Sequence, residues 1–535
     1  MKNYLKQLPT IILVLMFGIF IGIKYSDIVI FSGNKEEIKK ISDVLNKTEK
    51  YYVDSVDSKK LVEDAINGMF SELDPHTVYI SQTEQTASEE QFRGNFEGIG
   101  VEFQIINDTI TVASPITGGP SEVAGIISGD RIVKINGKSS VGFTNEKVIK
   151  SLRGKKGTSV KLTIFRPSTK KETNYNIIRN TINLYSVDVA LMYDREIGYI
   201  NVTRFSETTT DELQNALNDL SKKGMKKLVL DLRNNPGGYL DQARSVTDLF
   251  LSENKLIVST RGRGNELLEQ LIAETKGAYE NIPLIVLVNR GSASASEIVA
   301  GAVQDWDRGL IVGETTFGKG LVQRPILLND NSAVRITIAR YYTPSGRTIQ
   351  RDYKDKKKYV EELMNQNDVE INNINHDVEK DSNNQKYKTK FGRTVYGNGG
   401  ITPDYIIEAG FSTEYSNELR KNNIYYQFVR NYLDKNGVEV RKKYANNLNK
   451  FINEFGFNEK DMKDMIKFAE INKVKFVQTD YVKDKELIKT RLKAFVARDL
   501  FNDVGWYAVL LRTDNQFIKS SKLFDEAVKL PGFGK

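Results

Sequence analysis

An α/β architecture with helical ends is what this sequence predicts, and three features carry the expectation. Apolar strand-like runs alternate with amphipathic helical patterns over residues 190–345. Short β-rich runs parted by Gly, Asn and Ser turns fill 91–170. Helical periodicity holds before residue 90 and after residue 411. A chain of 535 residues suits about three or four domains.

Taken in order, residues 33–90 form an N-terminal helical segment, because Leu61, Ala65, Ile66, Met69 and Phe70 recur at helical spacing. The pattern stops at Leu73-Asp74-Pro75-His76, where proline breaks it. Within 91–172, Gly100–Ile105, Ile110–Ala113, Arg131–Ile135 and Ser159–Phe165 read as strands, and Thr144–Leu152 reads as one helix. Residues 173–352 form the core. Ile197–Val202 is a strand, Leu213, Leu217 and Leu220 mark a helix face, and Leu228–Leu232 is nearly all apolar, as a strand buried on both faces requires. Leu240, Ala243, Val246 and Phe250 mark the next helix. Leu284–Val288 is a further strand, with a helix after it running to about Trp306, and Leu310–Val312 follows. Residues 353–395 are rich in lysine, glutamate and asparagine, with seven asparagines from Asn365 to Asn384, and read as a polar mobile insertion. Residues 396–410 return to the core. Residues 411–535 form a C-terminal helical region, with Ile424, Phe428 and Tyr432 on one face and Leu492, Phe495 and Val496 on another.

Composition excludes several chemistries. With 40% hydrophobic and 27% charged residues the chain is globular in type. The balance of 77 basic and 69 acidic residues leaves +8, too mild to call for nucleic acid. Cysteine is absent, which removes disulfides, thiolate catalysis, cysteine-bound zinc and a lipoprotein-type anchor. The two histidines, His76 and His376, allow no closely spaced two-histidine zinc helix, and any Ser-His-Asp triad would have to use one of them. No metal and no cofactor is implied.

Lys2 and Lys6 precede an apolar run, Ile11–Ile23, that Lys24 closes. It is shorter than the ~20 residues a centred span prefers, but Leu8, Pro9 and Thr10 extend it. No A-x-A-like cleavage site follows. Residues 1–32 therefore read as an uncleaved signal-anchor that sends the rest of the chain out of the cytoplasm. The alternatives are a cleaved signal peptide and a buried soluble helix.

Three segments carry chemistry. Asn289–Glu297 (NRGSASASE) lies between a buried strand and a helix, where a serine hydroxyl is exposed beside free N–H groups and the positive end of the helix dipole. Ser294 with Glu297 three residues on also fits an N-capping box. Thr315–Gln323 (TTFGKGLVQ) places glycines around Lys319 on a loop. In an extended chain Lys319 and Gln323 share a face. A lysine is a general base only where burial lowers its pKa, and Gln323 can then orient the amine. A phosphate-binding glycine loop is the weaker alternative, since the spacing is not a P-loop's. Asp231–Gly238 (DLRNNPGG) ends a buried strand, and its glycines let backbone N–H groups face a carbonyl; a plain strand-to-helix turn reads equally well.

Together, GSASASEIVAGAVQD, GETTFGKGLVQ, DLRNNPGG and GGITPD (399–404) resemble the carboxy-terminal processing peptidases, serine endopeptidases with a Ser–Lys dyad. The resemblance runs from about residue 35 through nearly the whole chain. It implies a crotonase-like β/α protease core with an inserted PDZ domain, the nucleophile on Ser294, the base on Lys319 and the lysine-orienting glutamine on Gln323. The backbone N–H of Gly237 or Gly238 and that of Ala295 would form the oxyanion hole. Glu297 is then a cap or supporting partner, His76 a turn residue and His376 a solvated one. Such chemistry needs no imidazole, which agrees with the scarcity of histidine.

Residues 91–170 resemble a PDZ domain, with Gly98-Ile99-Gly100-Val101 as its carboxylate-binding loop. A substrate tail would add as a strand, and Ile99, Val101, Phe103 and the helix at 144–152 would hold an apolar side chain. Arg153, just past that helix, is a candidate reporter of ligand occupancy. The expectation is a single-pass inner-membrane (cytoplasmic-membrane) peptidase whose catalytic part is extracytoplasmic, or periplasmic where an outer membrane exists. Its partners are proteins with apolar C-termini and the membrane, not nucleic acid. The helical arms also suit a homodimer, and an activating partner protein is left open. A catalytically silent PDZ scaffold and a crotonase-like acyl-thioester enzyme are the alternatives.

Overall fold

The computed structural model describes residues 34–364, 385–410 and 412–534. They fall into two compact units. One comprises 34–80 with 333–335. It holds helices α1 (Lys35–Tyr51) and α2 (Ser58–Phe70), and strand β1 (Val78–Ile80), which pairs antiparallel with Ala333–Arg335. Asp57 caps α2 by accepting from the amides of Lys59 and Lys60. Neither helix has a buried residue, and Ile38, Ile41 and Val44 form an exposed stripe on α1. His76 lies in the turn expected of it, its amide donating to Asp74 Oδ1 at 3.0 Å.

The second unit begins with α3 (Gln82–Arg93), which Ser81 and Glu84 cap reciprocally. A β-rich module follows: β2 (Asn95–Gly98), β3 (Val101–Ile106), β4 (Thr109–Pro115), a short α4 (Pro120–Val123), β5 (Arg131–Ile135), β6 (Lys138–Ser139), α5 (Asn145–Leu152), β7 (Ser159–Arg166), β8 (Lys171–Ile178) and β9 (Asn180–Asn183). The strands pair in the order β3-β4-β5-β7-β8, so β3 is an edge strand. Ile99, Ile110, Val112, Ile132, Val148, Leu152 and Leu162 make this module's own core.

The central core is a six-stranded sheet: β10 (Val187–Met192), β11 (Ile197–Val202), β12 (Lys227–Asp231), β15 (Leu284–Val288), β16 (Leu310–Gly313) and β21 (Tyr405–Ile406), parallel except for β10. Helices α6 (Thr209–Lys222), α7 (Leu240–Asp248) and α8 (Ala295–Asp305) cover one face, over Leu228, Leu230, Val286 and Val288. The alternate residues Val229, Ile285, Leu287 and Val312 face the other side, and Leu511, Phe517, Phe524 and Leu530 from the chain's end cover them. Both faces are therefore dry, which is why these strands read as unbroken apolar runs. Asp404 of the GGITPD segment fixes the last strand: it accepts from Ile311 N (2.8 Å) and from Gln304 Nε2 (2.9 Å), and pairs with Arg393.

A second sheet holds β13 (Leu256–Arg261), β14 (Leu267–Ile272), β17 (Leu321–Leu327) and β18 (Ala333–Tyr342). Apart from the largely buried β13, its strands are partly exposed and lack continuous apolar runs, and the sequence reading singled out none of the four. The stretch 353–395, expected to be a polar mobile insertion, contains regular structure at both ends. Helix α9 (Lys356–Met364) and the hairpin β19 (Lys386–Lys388) and β20 (Thr394–Tyr396) flank residues outside the described set, His376 among them. Arg393 belongs to the core, held by Asp307 and Asp404.

The C-terminal region contains α10 (Glu414–Lys421), α11 (Ile424–Tyr444), α12 (Leu448–Glu454), α13 (Glu459–Ile471), α14 (Gln478–Leu510), α15 (Asn515–Ser520) and α16 (Phe524–Ala527). It packs against the β-rich module through Arg430 to Ser128 (3.2 Å), Arg131 to Asp434 (2.8 Å) and Arg498 to Glu102 (3.0 Å). Helix α14 breaks at Phe501 and Asn502.

The expected single-pass membrane location is corrected here. No helix among the described residues is long and apolar enough to cross a membrane. Those with the length, α11 and α14, carry charges throughout. The run Ile11–Ile23 itself lies outside the described residues.

Candidate active site

Ser294 sits between β15 and α8, at the N-cap, with φ 55° and ψ −113°. Such a backbone costs about 1–3 kcal/mol in a non-glycine residue and persists only where its surroundings enforce it. They do so here. Ala293 N donates to Asn235 O (3.0 Å), Ser296 Oγ to the same oxygen (2.9 Å) and Ser292 Oγ to Leu232 O (2.8 Å). The serine turn is thus laced to the Asp231–Gly238 loop.

That loop approaches so closely that only glycine fits. A Cβ on Gly237 would stand 2.7 Å from Ala293 O and 2.8 Å from Ala295 N, and one on Gly238 would stand 2.0 Å from Phe205 O. Asn235, fully buried, donates to Val202 O (2.8 Å) and accepts the Gly237 amide on Oδ1 (2.9 Å). Of the two glycines expected to serve an oxyanion, Gly237 thus has its N–H already engaged. Among the described residues, neither the Gly238 nor the Ala295 amide donates to another group of the chain.

Lys319 lies on the loop just before β17, half-buried, and Gln323 is the third residue of β17, also half-buried. Two side chains tie this loop to the serine turn. The Glu297 carboxylate, with no exposed surface, accepts four bonds: from Ser294 N (2.8 Å) and Lys319 N (2.9 Å) on Oε2, and from Thr316 Oγ1 (2.6 Å) and Gly318 N (2.8 Å) on Oε1. Burial raises its carboxyl above the usual value, opposed by these bonds. Tyr341 of β18, buried, donates to Ser294 O (3.1 Å) and to Lys319 O. Burial, with Glu297 beside it, raises its hydroxyl pKa well above the ordinary value. Residues twenty-five apart in sequence are therefore bridged twice through their backbones. Tyr341 was missed from sequence, because it arrives on a strand with no motif. Glu297 was legible as a cap or supporting partner, but its hold on the lysine loop was not.

In the β-rich module, Gly98 ends β2, and Ile99 and Gly100 lead into β3 at Val101. Ser121 holds the loop, its amide (3.0 Å) and hydroxyl (2.7 Å) both donating to Ile99 O. The Ile99 side chain is 2% exposed and belongs to the core rather than to an open pocket. Val101 and Phe103 remain half-buried. Arg153 ends α5, pairs with Glu90 of α3 and stacks on Phe96, 4.6 Å from the ring centre.

Comparison with known proteins matches residues 196–356 to peptidase family S41, 87–165 to the PDZ domain and 26–84 to the activating protease CtpB N-terminal domain. Residues 415–502 match a family of unknown function (DUF8443). The chain is 42% identical over 319 residues to a carboxy-terminal-processing protease of Bartonella bacilliformis, covering 59% of this chain and 73% of that one. It is 37% identical to the carboxy-terminal processing protease CtpA of Bacillus subtilis, over 60% of this chain and 68% of the relative. To a probable CtpA-like serine protease of Staphylococcus saprophyticus it is 34% identical, over 80% and 85%. Among solved structures, a photosystem II D1 C-terminal processing protease is 29% identical, aligned over 58% of this chain and 89% of its own, with a TM-score of 0.32.

Proposed function

This chain belongs to the carboxy-terminal processing proteases, serine peptidases of family S41 that carry a PDZ domain, and on that premise we propose that it cleaves proteins with Ser294 as nucleophile and Lys319 as general base. The double tie of Ser294 to Lys319 through Glu297 and Tyr341 carries this reading. It holds nucleophile and base in a fixed relation before substrate arrives, which is what proximity catalysis requires.

The Lys319 amine, oriented by Gln323, takes the proton of Ser294 Oγ as that oxygen bonds to the scissile carbonyl carbon. The carbonyl oxygen becomes an oxyanion and accepts from the amides of Gly238 and Ala295, the latter at the positive end of α8. Protonated Lys319 then gives its proton to the leaving nitrogen as the C–N bond breaks. Water, losing a proton to Lys319, attacks the acyl carbon; as the bond to Ser294 Oγ breaks and the acid product leaves, Lys319 returns that proton to Ser294 Oγ. Selection falls to the PDZ domain. The Gly98–Val101 loop would receive a C-terminal carboxylate, the substrate tail would pair along the open edge of β3, and Val101 and Phe103 would contact an apolar terminal residue.

The test is cleavage of an unstructured protein with an apolar C-terminus by the full chain. Both Ser294→Ala and Lys319→Ala are expected to lower turnover by about a thousandfold or more. Normal cleavage by Lys319→Ala would reject the dyad, and normal cleavage by Ser294→Ala would reject the site.

A further inference from the structure

The loop that presents the Gly238 amide is held from the serine side by Asn235. It is also held from behind, by a part of the chain that lies beyond residue 502 and outside the four matched ranges. Arg233 is the link. Its side chain is 14% exposed and is gripped at both ends. On one side Asp231, itself 2% exposed, accepts from Arg233 Nε (3.0 Å) and Nη2 (2.6 Å), and takes a further bond from Tyr199 Oη at 2.7 Å. On the other, Asp514 accepts from Arg233 Nη1 (3.0 Å) and Nη2 (2.8 Å), and Gln516 Oε1 accepts from Nη1 (2.9 Å). This is fork-type recognition of a guanidinium, which fixes orientation as well as supplying attraction.

The grip is itself anchored. Gln516 Nε2 donates to Ile407 O (2.7 Å) and Asn515 Nδ2 to Glu408 O (2.9 Å), just past β21. Tyr507 Oη donates to Asn201 Oδ1 (2.9 Å) on β11. Phe517, fully buried, meets Tyr199 edge-on with ring centres 5.6 Å apart. This part of the chain is thus bolted to β11 and to the residues just past β21, and it reaches the serine side of the sheet through Arg233.

We propose that Asp514 is a positioning residue for catalysis: with Gln516 it fixes Arg233, and through it the Leu232–Gly238 loop that aims the Gly238 N–H at the developing oxyanion. The proposal rests on the reading of Gly238 as oxyanion donor. It gives the last part of the C-terminal region a role in the reaction rather than only in covering the sheet.

Asp514 also caps α15, accepting from Phe517 N at 3.0 Å. Asparagine caps a helix as well as aspartate does, so Asp514→Asn keeps the cap and removes one of the two carboxylate oxygens from Arg233. Asp514→Ser, which can also cap, removes the fork altogether. The full chain and both variants would be compared in kcat and KM on the unstructured substrate, in thermal midpoint, and in affinity for a peptide aldehyde, whose serine adduct carries the oxyanion. Active sites would be counted with a fluorophosphonate. The expected result is a kcat per active site lower by about tenfold in Asp514→Asn and more in Asp514→Ser, with KM within about twofold. The aldehyde affinity should fall by the same factor as kcat. Unchanged kcat and aldehyde affinity would overturn the proposal, as would a loss fully explained by fewer active sites or confined to KM. Ser294→Ala is the control. If it is inert while Asp514→Asn is normal, only the positioning role fails; if Ser294→Ala still cleaves, the active-site reading fails and takes this proposal with it.

Discussion

Two glycine-bearing loops in this protein are proposed to offer backbone amides to an oxygen anion, and they are held in opposite ways. The loop at Gly237–Gly238 is locked by buried polar side chains: Asn235 within it, Ser296 against it, and Glu297 and Tyr341 fixing the serine turn it touches. The loop at Gly98–Val101 is tied mainly by backbone, through Ile99 O and Gly100 O, and leads into an edge strand with no strand paired on its outer side among the described residues. The difference suits the two tasks proposed for them. An oxyanion cradle works by being in place before charge develops, and each aimed donor is worth about 10²–10³ in kcat. A tail-binding groove is completed by the tail itself, whose strand supplies the missing hydrogen bonds. Changes to the first loop's supports should therefore appear in kcat, and changes to the second in KM.

Glu297→Gln is the strongest way to break the contrast. It keeps the volume but turns one acceptor oxygen, which takes two donors, into an NH2 group that can only donate. Two buried donors are orphaned, at about 1–3 kcal/mol each, and the thermal midpoint should fall. The kcat should drop by about a hundredfold with KM little changed. The pH dependence has a definite sign. Burial raises the folded-state pKa of Glu297, so the native state holds this proton to higher pH than the unfolded chain does. Stability from this group alone must then fall as pH rises from the ordinary carboxylate value through the raised one, and Glu297→Gln should remove that slope. A variant with wild-type kcat and wild-type pH dependence would show that Glu297 is an ordinary helix cap.

Much of this site was legible in the sequence because each of its motifs is local and follows a strand buried on both faces. An apolar run such as Leu284–Val288 announces the strand, and the small residues after it mark the turn. The start of the β-rich module was announced in a similar way, by a change from helical to alternating pattern near residue 91, whereas its strands β8 and β9 run on to Asn183, past the expected end at 172. What could not be read is what arrives from elsewhere. Tyr341 lies on a half-exposed strand with no motif, and the Asp514–Arg233 contact joins residues far apart in the chain. Nor does any local pattern say that Leu511, Phe517 and Phe524 cover the back of the sheet. An amphipathic stretch shows that it needs a partner without naming one. The apolar run at 11–23 was the opposite case, a clear local signal whose expected consequence found no spanning helix among the described residues.

Val101→Asp sharpens the contrast from the other side, with a smaller effect. Val101 is half-buried at the start of the edge strand, next to the loop proposed to hold a carboxylate. A second carboxylate there repels the tail and spoils the apolar contact. KM for a substrate with an apolar C-terminus should rise by about tenfold, with kcat at saturation unchanged, and a short peptide lacking that tail should be cleaved as by wild type. Loss of kcat on the short peptide would mean that the two loops are not separable.

The smallest expected effect concerns the path between them. Arg153 ends the groove helix and pairs with Glu90 on α3. Two residues further along α3, Phe92 lies 5.1 Å, ring to ring, from Tyr239, which follows Gly238 directly. A groove-bound tail that shifts the end of α5 would therefore be felt next to the oxyanion loop. The pair is partly exposed, 40% on the arginine side, and exposed ion pairs contribute about 0–1 kcal/mol. A coupling of that size changes turnover by no more than about fivefold. Arg153→Ala should thus leave cleavage of tail-less peptides unchanged and reduce the stimulation given by a separate apolar C-terminal peptide by up to that factor. Arg153→Lys should fall between the two, since it keeps the charge but loses the planar stack on Phe96. If stimulation in Arg153→Ala equals wild type, the groove and the active site are joined only through the substrate chain that spans them, and their different construction reflects two independent tasks.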